Sequence, residues 1–120
     1  METYISNLLK IEVDEDDSAI YIKWLGKSVD REPGAFVIPI LSNAIEKGSA
    51  GKKRVVMDFC SLEFMNSSTI TPVSKIMETA KGGDCHLQII YTRSINWQEL
   101  SFSALRIFET RDKRIEITGR

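Results

Sequence analysis

The sequence has few of the side chains that most often bind metals or act as nucleophiles. It contains one histidine, His86, and two cysteines, Cys60 and Cys85. A structural zinc site uses about four Cys and His ligands, so this stock is too small for one. Two cysteines also do not make a disulfide framework. We therefore expect no metal and no cofactor, and the composition argues against the metalloenzyme classes.

Neither sign of charge is in excess, and no apolar run is long. The chain has 16 Lys and Arg against 17 Asp and Glu, interspersed, for a formal net charge of −1. This balance predicts no nucleic-acid partner and no anionic membrane surface as a partner. No apolar segment approaches the roughly 20 residues that span a bilayer. The N-terminus, with Glu2 and Asn7, also lacks the basic-then-apolar pattern of a signal peptide. We expect a cytoplasmic protein.

What the chain does contain fits one ordinary globular unit. Its 120 residues suffice for a single hydrophobic core, and 42% of them are hydrophobic against 28% charged. Disordered chains are poorer in apolar residues. No internal repeat, linker or low-complexity tract interrupts the sequence. We predict that residues 1–120 form one domain.

Two segments near the N-terminus alternate between apolar and polar residues. The alternation of Leu9, Ile11 and Val13 predicts a strand, and Ala19–Leu25 alternates in the same way. The acidic segment between them, Asp14–Asp17, is typical of a solvated hairpin tip. These segments therefore predict an antiparallel hairpin, with a connecting loop from Gly26 to Gly34.

Helices and strands alternate over the rest of the chain. Apolar spacing predicts helices over residues 38–48, 70–81 and 96–108, and strands over residues 53–59, 86–91 and 114–118. Proline suits the first turn of a helix, so Pro39 places the first helix start near Ile38. Alternating strands and helices imply right-handed crossovers. The fold class is therefore α/β, with a mostly parallel mixed sheet, an N-terminal antiparallel hairpin and about three helices.

Three hydroxyl residues, Ser67, Ser68 and Thr69, stand in a row after the strand that ends near Phe59 and a short connection. A helix N-terminus offers unpaired N–H groups and a partial positive charge, which suit a phosphate. Ser and Thr are also preferred N-caps, so the cluster is either a phosphorylated switch or a cap. Pro72 favours Thr69 or Thr71 as the cap, because both keep proline early in the helix.

The element order and the segment around these hydroxyls resemble the STAS family, which includes the bacterial anti-sigma-factor antagonists. The resemblance is carried by Val55-Val56-Met57-Asp58-Phe59 followed by Phe64-Met65-Asn66-Ser67-Ser68-Thr69. The family pattern is an apolar strand ending in Asp and then a Phe/Met-Asp-Ser-Ser-Gly turn. Asn66 and Thr69 stand where that pattern has Asp and Gly, which suggests a divergent subfamily.

The resemblance implies a STAS-like fold and a partner switch without catalysis. In the family, the unmodified domain binds a serine kinase that often doubles as an anti-sigma factor; phosphorylation releases this partner, and a serine/threonine phosphatase restores binding. Carried over, the phosphoacceptor is Ser68, with Ser67 and Thr69 as alternatives. The expected partner contacts are Met65, Asn66, Ser67 and Thr69. We expect a monomer or a weak homodimer.

Two further residues are candidates for contact with a phosphate or a partner. Arg93 follows a predicted parallel strand, at the end where open α/β sheets bind ligands, and Asp58 ends another. Two other functions stay open. One is a STAS-like scaffold or ligand-sensing module that is never phosphorylated, and the other is an enzyme using Asp58 or Cys60. Strand alternation points Cys85 and His86 to opposite faces, which separates that thiol from a base.

Overall fold

A computed structural model describes residues 1–120. The elements, in chain order, are β1 (Glu2–Ser6), β2 (Leu9–Glu15), β3 (Ala19–Ser28), α1 (Gly34–Gly51), β4 (Arg54–Asp58), β5 (Leu62–Met65), α2 (Ser67–Gly82), β6 (Leu87–Tyr91), α3 (Asn96–Ala104), a 3₁₀ helix (Leu105–Phe108) and β7 (Ile115–Gly119). No helix is both long enough and apolar enough to cross a membrane.

All seven strands belong to one mixed sheet. Its order is β1-β2-β3-β4-β6-β7, and β5 pairs with the end of β3. The β1–β2 and β2–β3 pairs are antiparallel, whereas β3–β4, β3–β5, β4–β6 and β6–β7 are parallel. The predicted N-terminal hairpin and the mostly parallel sheet are therefore confirmed.

The strand register gathers most of the buried apolar side chains on one face of the sheet. Ile20, Val55, Leu87 and Ile115 align across four parallel strands, and all are buried. The buried apolar residues of the helices join them in one core cluster. Helix α1 packs on α2, β3 and β4, and α3 packs on β6. The opposite face carries exposed polar residues such as Lys23 and Glu116.

Two strands were not predicted. Strand β1 is an edge strand whose Glu2, Thr3 and Ile5 are exposed, so it shows no hydrophobic periodicity. Strand β5 has four residues and was interpreted as part of a connection. Its pairing with β3 depends on a register shift at Gly26, which no local pattern predicts.

The predicted loop after Gly26 is wrong at its start, because β3 continues to Ser28. Gly26 has φ 80° and lies against β2, where a Cβ atom would stand 2.1 Å from the Leu8 carbonyl oxygen. Only glycine fits such a close approach in the left-handed region. The bulge lets the strand pass this point, and Ser28 is thereby brought to the first turn of α2.

Both predicted ends of the first helix are wrong. Helix α1 begins at Gly34, with Pro39 inside it, and it continues past Gly48 to Gly51. The bond lost at Pro39 is tolerated because Val37 and Leu41, on either side, are fully buried in the core. Gly48 does not stop the helix. A Cβ there would lie 2.8 Å from Val55 Cγ2, so glycine lets α1 approach β4.

The third predicted helix divides into two pieces. Helix α3 ends at Ala104, and a 3₁₀ turn covers Leu105–Phe108. The Leu105 N–H lies within bonding distance of both the Phe102 and Ser103 carbonyls, which is typical of a helix end that tightens into 3₁₀ geometry. Phe102 contacts Phe59 and Tyr91, with ring centroids 4.7 Å and 5.4 Å apart, so α3 closes the core beneath the carboxyl ends of β4 and β6.

Candidate functional site

Helix α2 begins immediately after β5, and its N-cap is Asn66. The Asn66 Oδ1 atom accepts hydrogen bonds from the Thr69 N–H at 3.1 Å and from the Thr69 hydroxyl at 2.8 Å. The prediction of Thr69 or Thr71 as the cap is therefore wrong. Pro72 becomes the sixth helical residue and leaves the Ser68 carbonyl without its usual donor. The bonds made by Asn66 offset that loss.

A chain of buried hydroxyls joins α2 to β3. Ser28 Oγ lies 2.7 Å from Thr69 Oγ1, and both residues are buried. A hydroxyl has one hydrogen. Since Thr69 donates its hydrogen to Asn66, Ser28 donates to Thr69. This chain holds the start of α2 in a single position against the sheet.

The loop between β3 and α1 is held to the same helix start through Asp30. Asn66 Nδ2 donates to the Asp30 carbonyl at 2.9 Å. Asn7 Nδ2 donates to the Asp30 carboxylate, at 2.9 Å and 3.1 Å from its two oxygens. Two asparagines from distant segments therefore position Asp30, and with it the neighbouring Arg31.

The two serines differ in exposure. Ser67 is the first helical residue and is exposed, whereas Ser68 is the second and is half-buried. Ser68 lies in a shallow groove of about 350 Å³ between α2 and the loop that precedes α1. The groove is lined by Arg31, Glu32, Pro33, Gly34, Ile38, Ser68, Thr71, Pro72 and Lys75.

The groove around Ser68 favours an anion. Two cations, Arg31 and Lys75, line it against one carboxylate, Glu32. The first turn of α2 contains no acidic residue. The partial positive charge of the helix N-terminus is therefore not neutralised within its own turn. A phosphate on Ser68 would lie among these groups.

Two predicted contact residues are not on the surface. Thr69 is fully buried and Met65 is 5% exposed. Thr69 is also occupied by the hydrogen bonds to Ser28 and Asn66. Its predictions as a partner contact and as an alternative acceptor are therefore wrong, and so is the prediction of Met65 as a contact. Asn66 is half-buried and caps the helix, so within the Ser67–Thr69 cluster only Ser67 and Ser68 offer hydroxyls to solvent.

Arg93 does not line the groove around Ser68, so its contact with a phosphate stays a prediction. Arg93 lies beside the edge strand, where its N–H donates to the Arg120 carbonyl at 2.9 Å. A Cβ on Gly119 would stand 3.0 Å from its Nε atom. The sheet order places β4 and β6 between β3, which ends beside Ser68's helix, and β7. The cations that line the groove with Ser68 are Arg31 and Lys75.

Asp58 does not line the groove either. Its Oδ1 atom accepts a hydrogen bond from the Cys60 N–H at 2.9 Å. Its register partners are Lys23 and Ile90, which places it on the sheet face opposite the helices. The prediction that Asp58 contacts a phosphate or a partner therefore gains no support from this groove and stays a prediction.

The thiols lie in surroundings that keep them protonated. Burial raises the pKa of both Cys60 and Cys85. The Thr92 hydroxyl donates to the backbone carbonyl of Cys60 at 3.3 Å. The Cys85 side chain is 2% exposed. His86 is exposed at the start of β6. A raised thiol pKa lowers the fraction of the nucleophilic thiolate, so this arrangement does not favour thiol chemistry.

Three apolar side chains, Phe64 of β5 and Trp97 and Leu100 of α3, make up what we call the aromatic patch, in which Trp97 is half-buried. Phe64 is 44% exposed and Leu100 is 73% exposed. The rings of Phe64 and Trp97 have centroids 6.1 Å apart. Phe64 is three residues before Ser67 in the chain. An apolar surface of this kind suits contact with another protein.

Gln98 is a structural residue that the sequence did not reveal. It is fully buried, and its Nε2 donates to the carbonyls of Phe59 at 2.9 Å and Leu62 at 3.1 Å. Its Oε1 accepts from the Thr92 N–H at 2.7 Å. It therefore ties α3 to the connection before β5. Arg31 and Lys75 were also missed, because both are ordinary exposed cations in the sequence.

The mixed sheet, with its N-terminal antiparallel hairpin and helices on one face, defines the STAS-like α/β class. A solved structure with this fold is that of an anti-sigma factor antagonist from Mycobacterium paratuberculosis. It matches with a TM-score of 0.63 and 12% sequence identity, over 88% of this chain and 90% of that one. The fold predicted from the sequence is thereby confirmed. No protein-family model matches the chain. No curated protein matches it either.

Proposed function

We propose that this protein is a regulator without catalysis of its own, and that it binds a serine kinase or anti-sigma factor when Ser68 is unmodified. The observation that carries the proposal is the position of Ser68. Its hydroxyl stands at the second residue of α2, half-buried, in a groove with Arg31 and Lys75. The likeness in fold to an anti-sigma factor antagonist supports the kind of partner.

The domain is suited to carry a phosphate on Ser68 without unfolding. A phosphoryl group adds roughly −1.5 to −2 charges at neutral pH. The N-terminus of α2 and the two groove cations face that charge. The hydroxyl network of Ser28, Thr69 and Asn66 does not include Ser68, so modification leaves the cap intact. The switch therefore alters the surface and preserves the fold.

The same charge opposes docking. A partner that covers Ser68 and the aromatic patch removes water from this surface, and an added dianion then loses its hydration. A loss of about 3 kcal/mol in binding free energy corresponds to roughly a hundredfold weaker affinity. A phosphatase that removes the group restores docking. Since the kinase uses ATP, we place this cycle in the cytoplasm.

The first test measures phosphorylation. The tagged chain is used to recover its kinase partner, and intact mass is measured after incubation with ATP. We expect one added phosphate on the native chain and on Ser67→Ala, and none on Ser68→Ala. Ser67→Ala is the matched control because it removes the neighbouring hydroxyl. A phosphate on Ser68→Ala that disappears in Ser67→Ala would move the acceptor to Ser67.

The second test measures docking. Ser68→Asp should weaken partner binding at least about tenfold, whereas Ser67→Ala should bind like the native chain. Circular dichroism and urea unfolding should be unchanged in both variants, since neither side chain has a hydrogen-bond partner within the protein. A chain that gains no phosphate, and whose Ser68→Asp variant binds undiminished, is the non-phosphorylated scaffold or ligand-sensing module instead.

A further inference from the structure

A second cavity lies at the other end of the sheet from Ser68. Its volume is about 510 Å³. Its lining comes from the starts of four parallel strands, with Ser18 before β3, Arg54 in β4, Leu87 in β6 and Arg114 before β7. This end is separate from the groove at α2, and the function proposed above makes no use of it.

The lining of this cavity concentrates positive charge. It contains four cations, Lys52, Arg54, Lys113 and Arg114, and a single carboxylate, Glu116. The chain as a whole has 16 basic against 17 acidic side chains, so this excess is local. Leu87 is the one apolar residue of the lining, and it is almost completely buried. A concave surface with one sign of charge attracts ligands of the opposite sign.

The charges of the cavity are not neutralised by ion pairs. The ion pairs of the structure are Lys10–Glu12, Lys53–Glu15 and Arg106–Glu109, and none of these residues lines the cavity. Arg54 reaches only the uncharged Gln88, with its Nη1 atom 3.4 Å from Oε1. Lys52, Arg54 and Lys113 are therefore available to an anion.

Arg114 contributes a charge that is held in place. Its guanidinium donates to the carbonyls of Ala80 at 2.6 Å, Cys85 at 2.9 Å and Lys81 at 2.8 Å. These are carbonyls at the C-terminal end of α2 and just beyond it. The cavity therefore has one anchored cation surrounded by three that can move to meet a ligand.

Both lysines of the cavity have a positive φ angle, a backbone conformation in which lysine is uncommon. Lys52 has φ 55° and Lys113 has φ 62°, in the left-handed region that glycine and asparagine adopt more easily. Each lysine follows or occupies a turn before a strand. Their ammonium groups give these two positions a use that glycine would not.

We propose that this cavity binds a small molecule carrying two or three linked phosphates. Sites for small molecules commonly occupy about 300–1,000 Å³, and this cavity lies within that range. It is larger than one phosphate needs, and its polar lining does not suit an apolar ligand. The phosphates lie among Lys52, Arg54 and Lys113. Gln88 and Glu116, on the open sheet face, accept hydrogen bonds from any hydroxyl or amine that the ligand carries.

The test is isothermal titration calorimetry of the full chain with inorganic triphosphate in metal-free buffer. We expect saturable binding of one triphosphate, which weakens as ionic strength rises from about 0.01 M to about 0.15 M. The double variant Arg54→Gln/Lys113→Asn should bind at least about tenfold more weakly. The control Lys23→Gln/Lys27→Gln removes the same charge from β3 outside the cavity, and it should bind like the native chain.

Two results would overturn the proposal. One is the absence of saturable binding, and the other is an equal loss in the cavity and control variants, which reports net charge alone. A parallel titration with ATP distinguishes the sources of the phosphate chain. Tighter binding of ATP than of triphosphate assigns a role to the nucleoside, and the reverse order assigns the site to polyphosphate itself. Phosphorylation of Ser68 should be unaffected by the cavity variant, so the two proposals fail separately.

Discussion

Ser28 Oγ and Thr69 Oγ1 lie 2.7 Å apart, and both side chains are buried although 41 residues separate them in sequence. This pair joins the bulged end of β3 to the first turn of α2. The pair also explains why the third hydroxyl of the Ser-Ser-Thr cluster is unavailable to a kinase, whereas the first two face solvent. One hydroxyl of the cluster holds the fold, and the others are free to serve function.

The hydroxyl pair should contribute measurably to stability. Thr69→Val keeps the side-chain shape but leaves the Ser28 hydroxyl without a partner, and Asn66 Oδ1 keeps only the bond from the backbone N–H of residue 69. We expect a loss of about 1–3 kcal/mol in the free energy of unfolding, measured by urea denaturation. Adding Ser28→Ala should cost less in the Thr69→Val background than alone, because the pair is already broken. Additive losses would show that the two hydroxyls do not interact.

In this chain, Asn66 should stabilise the fold more than the aspartate of the family pattern would. An Asn66→Asp carboxylate cannot donate to the Asp30 carbonyl, and it places negative charge against that oxygen. The gain from a charged residue at a helix N-terminus is about 0.3–1 kcal/mol, and an unpaired acceptor costs about 1–3 kcal/mol. We expect a net loss of about 1 kcal/mol and faster amide exchange at Arg31.

The matched control for that substitution is Asn96→Asp. Asn96 is the exposed first residue of α3, and its side chain makes no hydrogen bond in the structure. The charge gain acts there without a lost bond, so stability should be unchanged or slightly higher. An Asn66→Asp variant as stable as the native chain would show that the Asp30 contact contributes nothing.

Gly48 should not tolerate even one added methyl group. In Gly48→Ala the Cβ would lie 2.8 Å from Val55 Cγ2 and 2.9 Å from the Lys53 carbonyl oxygen. Helix α1 would have to move away from β4, which we expect to cost about 1–3 kcal/mol by thermal or urea unfolding. Gly82→Ala, near the end of α2, is the control, since a Cβ there meets nothing within 4 Å. Equal stability of both variants would contradict the close packing.

Asp16 should make stability depend on pH in the acid range. The pKa of Asp16 lies below its ordinary value of 3.8, because the Ser18 and Ala19 N–H groups and the Ser18 hydroxyl donate to its carboxylate. As pH falls below 3.8, the unfolded chain binds the proton before the folded chain does. The stability that the ionised Asp16 carboxylate contributes is therefore present above this pH and is lost as pH falls through the lower pKa of the folded state. The loss in free energy of unfolding caused by Asp16→Asn should therefore become smaller as pH is lowered from about 6 to about 3.

The control for this titration is Asp17→Asn, whose native carboxylate makes no hydrogen bond in the structure. Its free energy of unfolding relative to the native chain is measured by urea denaturation at the same pH values, as the reference for a substitution that breaks no hydrogen bond. A deficit of Asp16→Asn that stays constant over the range would show that the turn holds a neutral side chain as well as an ionised one.

Periodicity predicted the elements that bury a continuous apolar face. Strands β4, β6 and β7 and the three helices were found because their apolar spacing reports contact with one core. The errors lie where that signal is weak. Strand β1 is an exposed edge, β5 is only four residues long, and the ends of α1 depend on how Pro39 and Gly48 pack against distant residues.

The candidate site shows the same division. The hydroxyl cluster was found at the start of a helix, because strand, connection and helix follow each other in the chain. The cap was misassigned, since Asn66 is favoured by a contact with Asp30 across 36 residues. Arg93 was preferred as the nearby cation because it follows a strand end, but the sheet order puts β4 between its strand, β6, and β3, beside which the helix begins.

The amino-acid sequence by itself determined that the chain is an α/β protein with a hydroxyl-rich helix start, because hydrophobic spacing and local motifs act between neighbours along the chain. The tertiary structure decided which hydroxyl is buried, which serine lies beside Arg31 and Lys75, and which basic residues surround a cavity at the other end of the sheet. These outcomes depend on strand order and on contacts between distant segments. Burial and electrostatic environment are properties of that three-dimensional arrangement, and no local pattern specifies them.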